Sequence, residues 1–263
     1  MKTKGARLMI AEKRRALLIE RLREDGYIQV TEIADELNIS SATIRRDLTQ
    51  LEEEGFCMRT RGGAVRSSQS TTLELPYELK KQKNVSAKNQ IAHRALELIE
   101  DGDTLILDAG STTYALAQLL ANKQRLTVVT NDLQIAISLA ANPNNHLICT
   151  GGIARPHVFS LQGTEVENFI KNLKVDKTFL GADAIHEDGT IGNVNIEEVA
   201  IKQAMVNAAS SVILLADASK FNLIGFAKVC DLKDVDILIT DEECPQYIDR
   251  ILAESGTELI IAK

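Results

Sequence analysis

The chain has no run of about 18 consecutive apolar residues, so nothing in it is expected to cross a bilayer as a helix. The stretch MKTKGARLMIAEKRR carries basic residues without an apolar core or a small-residue cleavage site, and no secretory signal is expected there. Cysteine is scarce. Cys57, Cys149, Cys230 and Cys244 lie far apart and form no CxxC pair, which argues against a zinc site or disulfide framework and for a reducing cytoplasm. Each is expected as a small buried hydrophobe. His93, His146, His157 and His186 have no metal-ligand spacing and are read as surface or hydrogen-bonded side chains, so neither metal nor cofactor is expected. No G-x-G-x-x-G follows any apolar run, which excludes a plain dinucleotide-binding protein. Internal repeats and low-complexity tracts are also missing.

What remains is the composition of an ordinary globular protein, 44% hydrophobic and 25% charged, and 263 residues allow two domains. The net charge of −7 is unevenly spread. Residues 1–66 hold 13 Lys and Arg against 11 Asp and Glu, a net of +2, which leaves −9 for the rest. A basic end on an acidic body points to a polyanion-facing segment joined to a part with a different task.

Residues 1–66 read as three helices and a hairpin. A helix over 10–24 presents Leu18, Ile19 and Leu22 on one face and stops before Gly26. Thr31 is the expected cap of a short second helix with Ile33, Ala34 and Leu37 inward. After Asn38-Ile39, Ser40 caps a third helix running to about Glu54, ahead of Gly55. Ile44, Leu48 and Leu51 form its buried stripe. The opposite face then carries Ala42, Arg46 and Thr49, with Arg45 on its flank. Small residues let a helix enter the major groove, and arginines reach phosphate or guanine. Residues 56–65 read as a hairpin turning at Gly62-Gly63, whose Arg59 and Arg61 make a positive wing. The arginines could instead merely pair with Glu52, Glu53 and Glu54. Cap, turn, arginine helix and wing together favour double-stranded DNA. Asp47, beside the buried stripe, is expected to partner an arginine of another helix.

Residues 67–85, SSQSTTLELPYELKKQKNV, are polar, contain Pro76 and read as a linker. Ser86 is the expected cap of a helix reaching Glu100. From Asp103 the runs TLILDAG, LTVVTN, HLICTGG, KTFLGAD, SVILLAD, DILITD and TELIIAK alternate with helix-length segments. That pattern predicts an α/β second domain over 86–263, a mostly parallel sheet with helices on both faces. Ligands of such sheets lie beyond the strands' carboxyl ends. Asp108, Gly110, Ser111, Thr112 and Thr113 follow the first strand and open a helix, a hydroxyl-rich anion site, though Ser111 or Thr112 taken singly also reads as an ordinary cap. Thr130-Asn131 and Gly151-Gly152 end later strands, and these loops are expected to converge with the first. Arg155 reads equally as a phosphate partner or a surface charge. Gly181 and Asp183 end one further strand, and Asp217 and Lys220 another. The latter two offer a hydroxyl acceptor and a compact cation, or else a turn with a local ion pair.

The string VTEIADELNIS over 30–40, then Ser41-Ala42-Thr43-Ile44-Arg45-Arg46-Asp47-Leu48 and Arg59-Thr60-Arg61-Gly62-Gly63-Ala64, closely resembles the N-terminal signature of the DeoR family of bacterial regulators. The succession LDAGSTT, VVTND, TGG, FLGAD, LLADASKF and DILITD resembles that family's C-terminal effector domain. The resemblance implies a winged helix-turn-helix, a sensor domain similar in fold to ribose-5-phosphate isomerase, a repressor's role and a phosphorylated sugar as effector. A homodimer or larger oligomer would present paired recognition helices to operator half-sites. The isomerases carry Asp-Gly-Ala-Asp-Glu where this chain reads Leu180-Gly181-Ala182-Asp183-Ala184. Without those paired carboxylates a binding pocket is expected rather than an enzyme. Glu198 and Lys202 are also expected at the effector site, and an isomerase-like reading would use Asp183 with one of them.

Overall fold

The computed structural model describes residues 11–53, 56–66, 74, 77–156 and 158–263, so the readings of the first ten residues, Gly55, Pro76, His157 and most of 67–76 lie outside the described residues. The chain divides into two compact units, residues 1–73 and 74–263.

The first unit holds α1 (Ala11–Glu24), β1 (Tyr27–Gln29), α2 (Val30–Leu37), α3 (Ser41–Glu53), β2 (Cys57–Arg59) and β3 (Gly63–Arg66). Leu18, Ile19 and Leu22 of α1 meet Ile44, Leu48 and Leu51 of α3 in a core from which water is excluded. Asn38 takes the left-handed conformation between α2 and α3, and Ser40 Oγ accepts from Thr43 N at 3.2 Å, as a cap should. Thr31 does not cap α2. The helix begins at Val30, because β1 runs straight into it and Val30 N donates to Gly62 O at 2.9 Å. Strand β1, too short to show periodicity, makes the sheet three-stranded in the order β1-β3-β2. Its backbone comes so close that a Cβ on Gly63 would lie 1.7 Å from Ile28 O. Gly63 is thus required by strand contact, not by the turn.

The second unit holds α4 (Tyr77–Gln82), α5 (Val85–Glu97), β4 (Thr104–Leu107), α6 (Ser111–Leu119), β5 (Thr127–Thr130), α7 (Leu133–Ala140), β6 (His146–Cys149), β7 (Ile153–Ala154), β8 (Leu161–Gln162) and α8 (Thr164–Lys171). It continues through β9 (Val175–Gly181), β10 (Ala184–Ile185), β11 (Thr190–Asn193), α9 (Ile196–Ala208), β12 (Ala209–Leu215), β13 (Ala227–Asp231), β14 (Ile237–Thr240), α10 (Gln246–Ser255) and β15 (Glu258–Ile261). Seven strands form one parallel sheet in the order β15-β14-β12-β9-β4-β5-β6, and they are the seven apolar runs of the sequence. Leu105, Leu107 and Phe179 pack under α5, α6 and α7, while Ile106 and Val129 face α8 and α9. Both faces are buried, as apolar strands without alternation require. A smaller antiparallel sheet, β10-β11-β13, lies beside this body.

Chain order sets the position of the site. From β4 the sheet grows outward to β5 and β6, then restarts on β4's other side with β9, β12, β14 and β15. The chain therefore leaves the carboxyl ends of β4 and β9 in opposite directions and opens a crevice between them. Two expectations fail nearby. The stretch read as a linker contains α4, whose Tyr77 is buried, since residues from Glu74 onward belong to the second unit. Helix α5 starts at Val85 with Asn84 in the capping position, not at Ser86, and ends at Glu97 rather than Glu100. Among the cysteines, Cys149 is exposed on the edge strand β6, while the other three are buried; all four are free thiols. No helix among the described residues is long and apolar enough to cross a membrane.

Candidate functional site

In the first unit the buried stripe of α3 fixes what faces outward. Ala42, Arg45, Arg46 and Thr49 are exposed, and Ser41 and Thr43 are half-exposed at the helix start. Asp47 points the other way. Its carboxylate receives a two-point ion pair from Arg14 of α1, one bond of which is 3.0 Å, and both side chains are buried. The wing is tied to α3 by Arg59, whose Nη1 donates to Arg45 O and Thr49 Oγ1 at 2.9 Å each and whose Nε donates to Gly63 O at 3.1 Å. Arg59 thus spends its donors inside the unit, whereas Arg61 and Gly62 stand exposed at the hairpin tip.

In the second unit a solvent-open cleft lies at the carboxyl ends of β4 and β9. One wall is the start of α6. Gly110 is its capping residue and no side chain caps it, so the first-turn amides at Ser111, Thr112 and Thr113 face outward. The floor is a charge network. Lys202 of α9 is buried and ion-pairs with Asp108, which also accepts from Gly181 N at 2.9 Å. Asp183 lies 3.0 Å from Lys80, and Val194 N donates to it at 3.2 Å. Glu198 accepts from Arg155 at 2.7 Å, Ser160 Oγ at 2.5 Å and Asn193 Nδ2 at 3.1 Å. Arg155 holds Glu74 with its other nitrogen at 2.5 Å. Lys220 completes the lining beside Asp183.

Burial disfavours charge on Asp183, but Lys80, Lys220 and Lys202 outweigh it and hold the carboxyl well below the usual range. Glu198 is likewise lowered, with burial overcome by Lys202 and Arg155. Burial opposes the Lys202 ammonium, which Asp108 and Glu198 nevertheless hold protonated. Lys88, also lining the cleft, is brought down to about 8, chiefly by burial.

Of the residues expected at an effector site, the cleft brings together Gly110, Ser111, Thr112, Thr113, Gly181, Asp183, Glu198, Lys202 and Lys220, with Asp108 directly behind Lys202. The loops after β5 and β6 do not join them, because those strands lead away from the switch point. Thr130 Oγ1 donates to Leu107 O at 2.8 Å and Asn131 Nδ2 to Leu161 O at 3.2 Å. Gly151 is exposed, and Gly152, also exposed, sits against Val166 and Gln162, where a Cβ would clash. Arg155 lies outside the lining, and its two carboxylate partners leave it neither a surface charge nor an open phosphate partner. Asp217 caps the short turn Ala218–Lys220 and accepts from Asn84 at 3.0 Å, so it serves structure rather than the cleft. Glu74, Tyr77, Lys80, Lys88 and Asn193 were not foreseen as lining residues. No cluster of metal-binding side chains occurs among the described residues.

The model of the DeoR-like helix-turn-helix domain matches residues 14–70, and that of the DeoR C terminal sensor domain matches residues 83–242. The chain belongs to the DeoR family of transcriptional regulators. It is 33% identical over 250 residues to a putative aga operon transcriptional repressor of Escherichia coli O157:H7, spanning 95% of this chain and 93% of that one. With the glycerol-3-phosphate regulon repressor of Escherichia coli strain K12 it shares 31% identity over 92% of its own length and 95% of the relative's. Among solved structures, ribose 5-phosphate isomerase A of Methanocaldococcus jannaschii aligns over 53% of this chain and 55% of its own, at 18% identity and a TM-score of 0.40. In this DeoR-family chain α3 and the wing correspond to the matched helix-turn-helix segment, and the cleft lies almost wholly within the matched sensor segment. The exceptions, Glu74, Tyr77 and Lys80, precede that segment.

Proposed function

We propose that this regulator represses a carbohydrate-catabolic gene set in the cytoplasm, binding double-stranded operator DNA as a homodimer or larger oligomer and releasing it when a phosphorylated sugar enters the cleft. The observation that carries the ligand class is the uncapped start of α6 facing Lys220, Lys202, Lys88 and Lys80 across one crevice. Outward amides and ammonium groups suit a phosphate, and the carboxylates of Asp183 and Glu198 suit sugar hydroxyls. A relative is named for a glycerol-3-phosphate regulon, and a phosphate ester is the chemistry proposed here too. Exposed Arg45, Arg46 and Arg61 with Ser41, Ala42, Thr43, Thr49 and Gly62 form the DNA face, and Arg59 acts by locking wing to helix.

Binding without turnover is the expected behaviour. A general base works best with a pKa near the ambient pH. Asp183 is held well below the usual carboxylate range and Glu198 is lowered, which makes both weak bases, while Lys202 is held protonated and has no free pair with which to take a proton.

Thermal-shift screening of phosphorylated sugars against their unphosphorylated counterparts tests the ligand class. A ligand binding only the folded state adds about 2.7 kcal/mol of stability at a hundredfold excess over Kd. Phosphorylated sugars are expected to raise the melting temperature and free sugars to leave it alone. Equal shifts from both, or from neither, would refute a phosphate-specific cleft.

A further inference from the structure

Helix α4 falls in the stretch that the sequence presents as a linker, yet it walls the cleft. Tyr77 is 1% exposed and stands edge-on to Tyr114 and Phe159, ring centroids 6.1 and 5.7 Å away. Those contacts explain its ring. They do not explain its hydroxyl, which is buried without a hydrogen-bond partner among the described residues. Phenylalanine would make the same ring contacts without desolvating a polar atom. A buried hydroxyl left unsatisfied calls for a partner, whether a water or a ligand, and of the side chains left so among the described residues Tyr77 is the one that lines the cleft. One turn on, the Lys80 ammonium sits 2.9 Å from Glu74 and 3.0 Å from Asp183, all three lining the same space. Lys88 closes this wall, its ammonium donating to the Lys80 and Lys83 carbonyls.

We propose that α4 is part of the effector site: the Tyr77 hydroxyl hydrogen-bonds the ligand, and the ligand's anionic group takes Lys80 from Asp183 and Glu74. The inference rests on the phosphorylated-sugar reading. The ligand is then held between two walls, the start of α6 on one side and Tyr77 with Lys80 on the other. Releasing Glu74 matters because it is the first residue of the sensor unit and also holds Arg155. An anion on Lys80 therefore leaves Glu74, at the start of the sensor unit, held by Arg155 alone of its two cations.

The test uses full-length wild type and Tyr77→Phe, which removes one oxygen and keeps the ring. Calorimetric titrations with ribose 5-phosphate, fructose 6-phosphate and glycerol 3-phosphate are run beside melting curves without ligand. An ester that binds wild type is expected to bind the variant about tenfold more weakly, the loss of one buried hydrogen bond. The ligand-free variant is expected to melt no lower than wild type. Lys80→Met is expected to weaken binding further. Equal affinity of wild type and Tyr77→Phe would overturn the inference and leave the phosphorylated-sugar reading standing. A ligand-free variant that melts lower would also overturn it, by showing that the hydroxyl has a structural partner. If wild type bound none of the esters, the phosphorylated-sugar reading would itself fall, and this inference with it.

Discussion

Two arginines side by side on α3 have opposite neighbours from the aspartate that follows them. Arg45 and Arg46 are exposed, while Asp47 is buried and locked to Arg14. The 100° step of a helix explains both outcomes, which is why α3 was legible residue by residue. Arg46→Ala or Arg45→Ala is expected to weaken operator binding by about 1–3 kcal/mol if the arginine meets a base, with no change in melting temperature. Anisotropy titrations paired with melting curves check it, and unchanged affinity would remove that residue from the DNA face. Asp47→Ala is expected to do the reverse: it strands a buried guanidinium and lowers stability by about 3 kcal/mol in urea denaturation. What was not legible was competition for donors. Nothing in the string RTRGG says that Arg59 will turn back onto Arg45 O and Thr49 Oγ1, or that Arg155 will be taken by Glu74 and Glu198. Such partners come from elements distant in sequence.

At the scale of elements, long apolar runs declared themselves and short polar ones did not. All seven runs became strands of the parallel sheet, and the inner ones, β4, β5, β9, β12 and β14, carry its buried core while the edge strands β6 and β15 are partly exposed. Strand β1 has three residues and α4 has six, too few to display a period. Both nevertheless shape a site, β1 by bracing the wing and α4 by lining the cleft. Gly63→Ala is expected to prise β1 from β3, since the added carbon would meet Ile28 O at 1.7 Å; a marked drop in melting temperature checks it, and an unchanged one would contradict the close approach. Asp132 joins two elements, accepting from Gln134 N and Ile135 N to cap α7 and from Gly110 N at the start of α6. Burial pushes its carboxyl up to about 6, against three backbone N–H donors that pull it down. An unfolded aspartate titrates near 4, so between about pH 4 and 6 the folded chain binds the extra proton. Stability from this group is present below pH 4 and is lost as pH rises through 6, about 3 kcal/mol in all. Asp132→Asn keeps a capping oxygen and is expected to lack that fall. Parallel pH profiles of urea denaturation that coincide for wild type and variant would refute it.

For the whole molecule, the uneven charge noted in the sequence corresponds to a division of labour. The basic unit carries the exposed arginines, and the acidic unit carries a cleft in which Lys80 and Lys202 are paired with carboxylates. The crevice between β4 and β9 was predictable as a class of site, but the choice of β4 and β9 over β5 and β6 follows from strand order, which no linear reading supplies. Control requires that the ligand favour a state with lower operator affinity, and coupling of about 1–3 kcal/mol amounts to 5–150-fold. The decisive measurement is an anisotropy titration of the full chain on a fragment of its own promoter, with and without a phosphorylated sugar already shown by thermal shift to bind. Operator affinity is predicted to fall at least fivefold when that ligand saturates the cleft. An affinity that stays the same with the cleft filled would contradict the account.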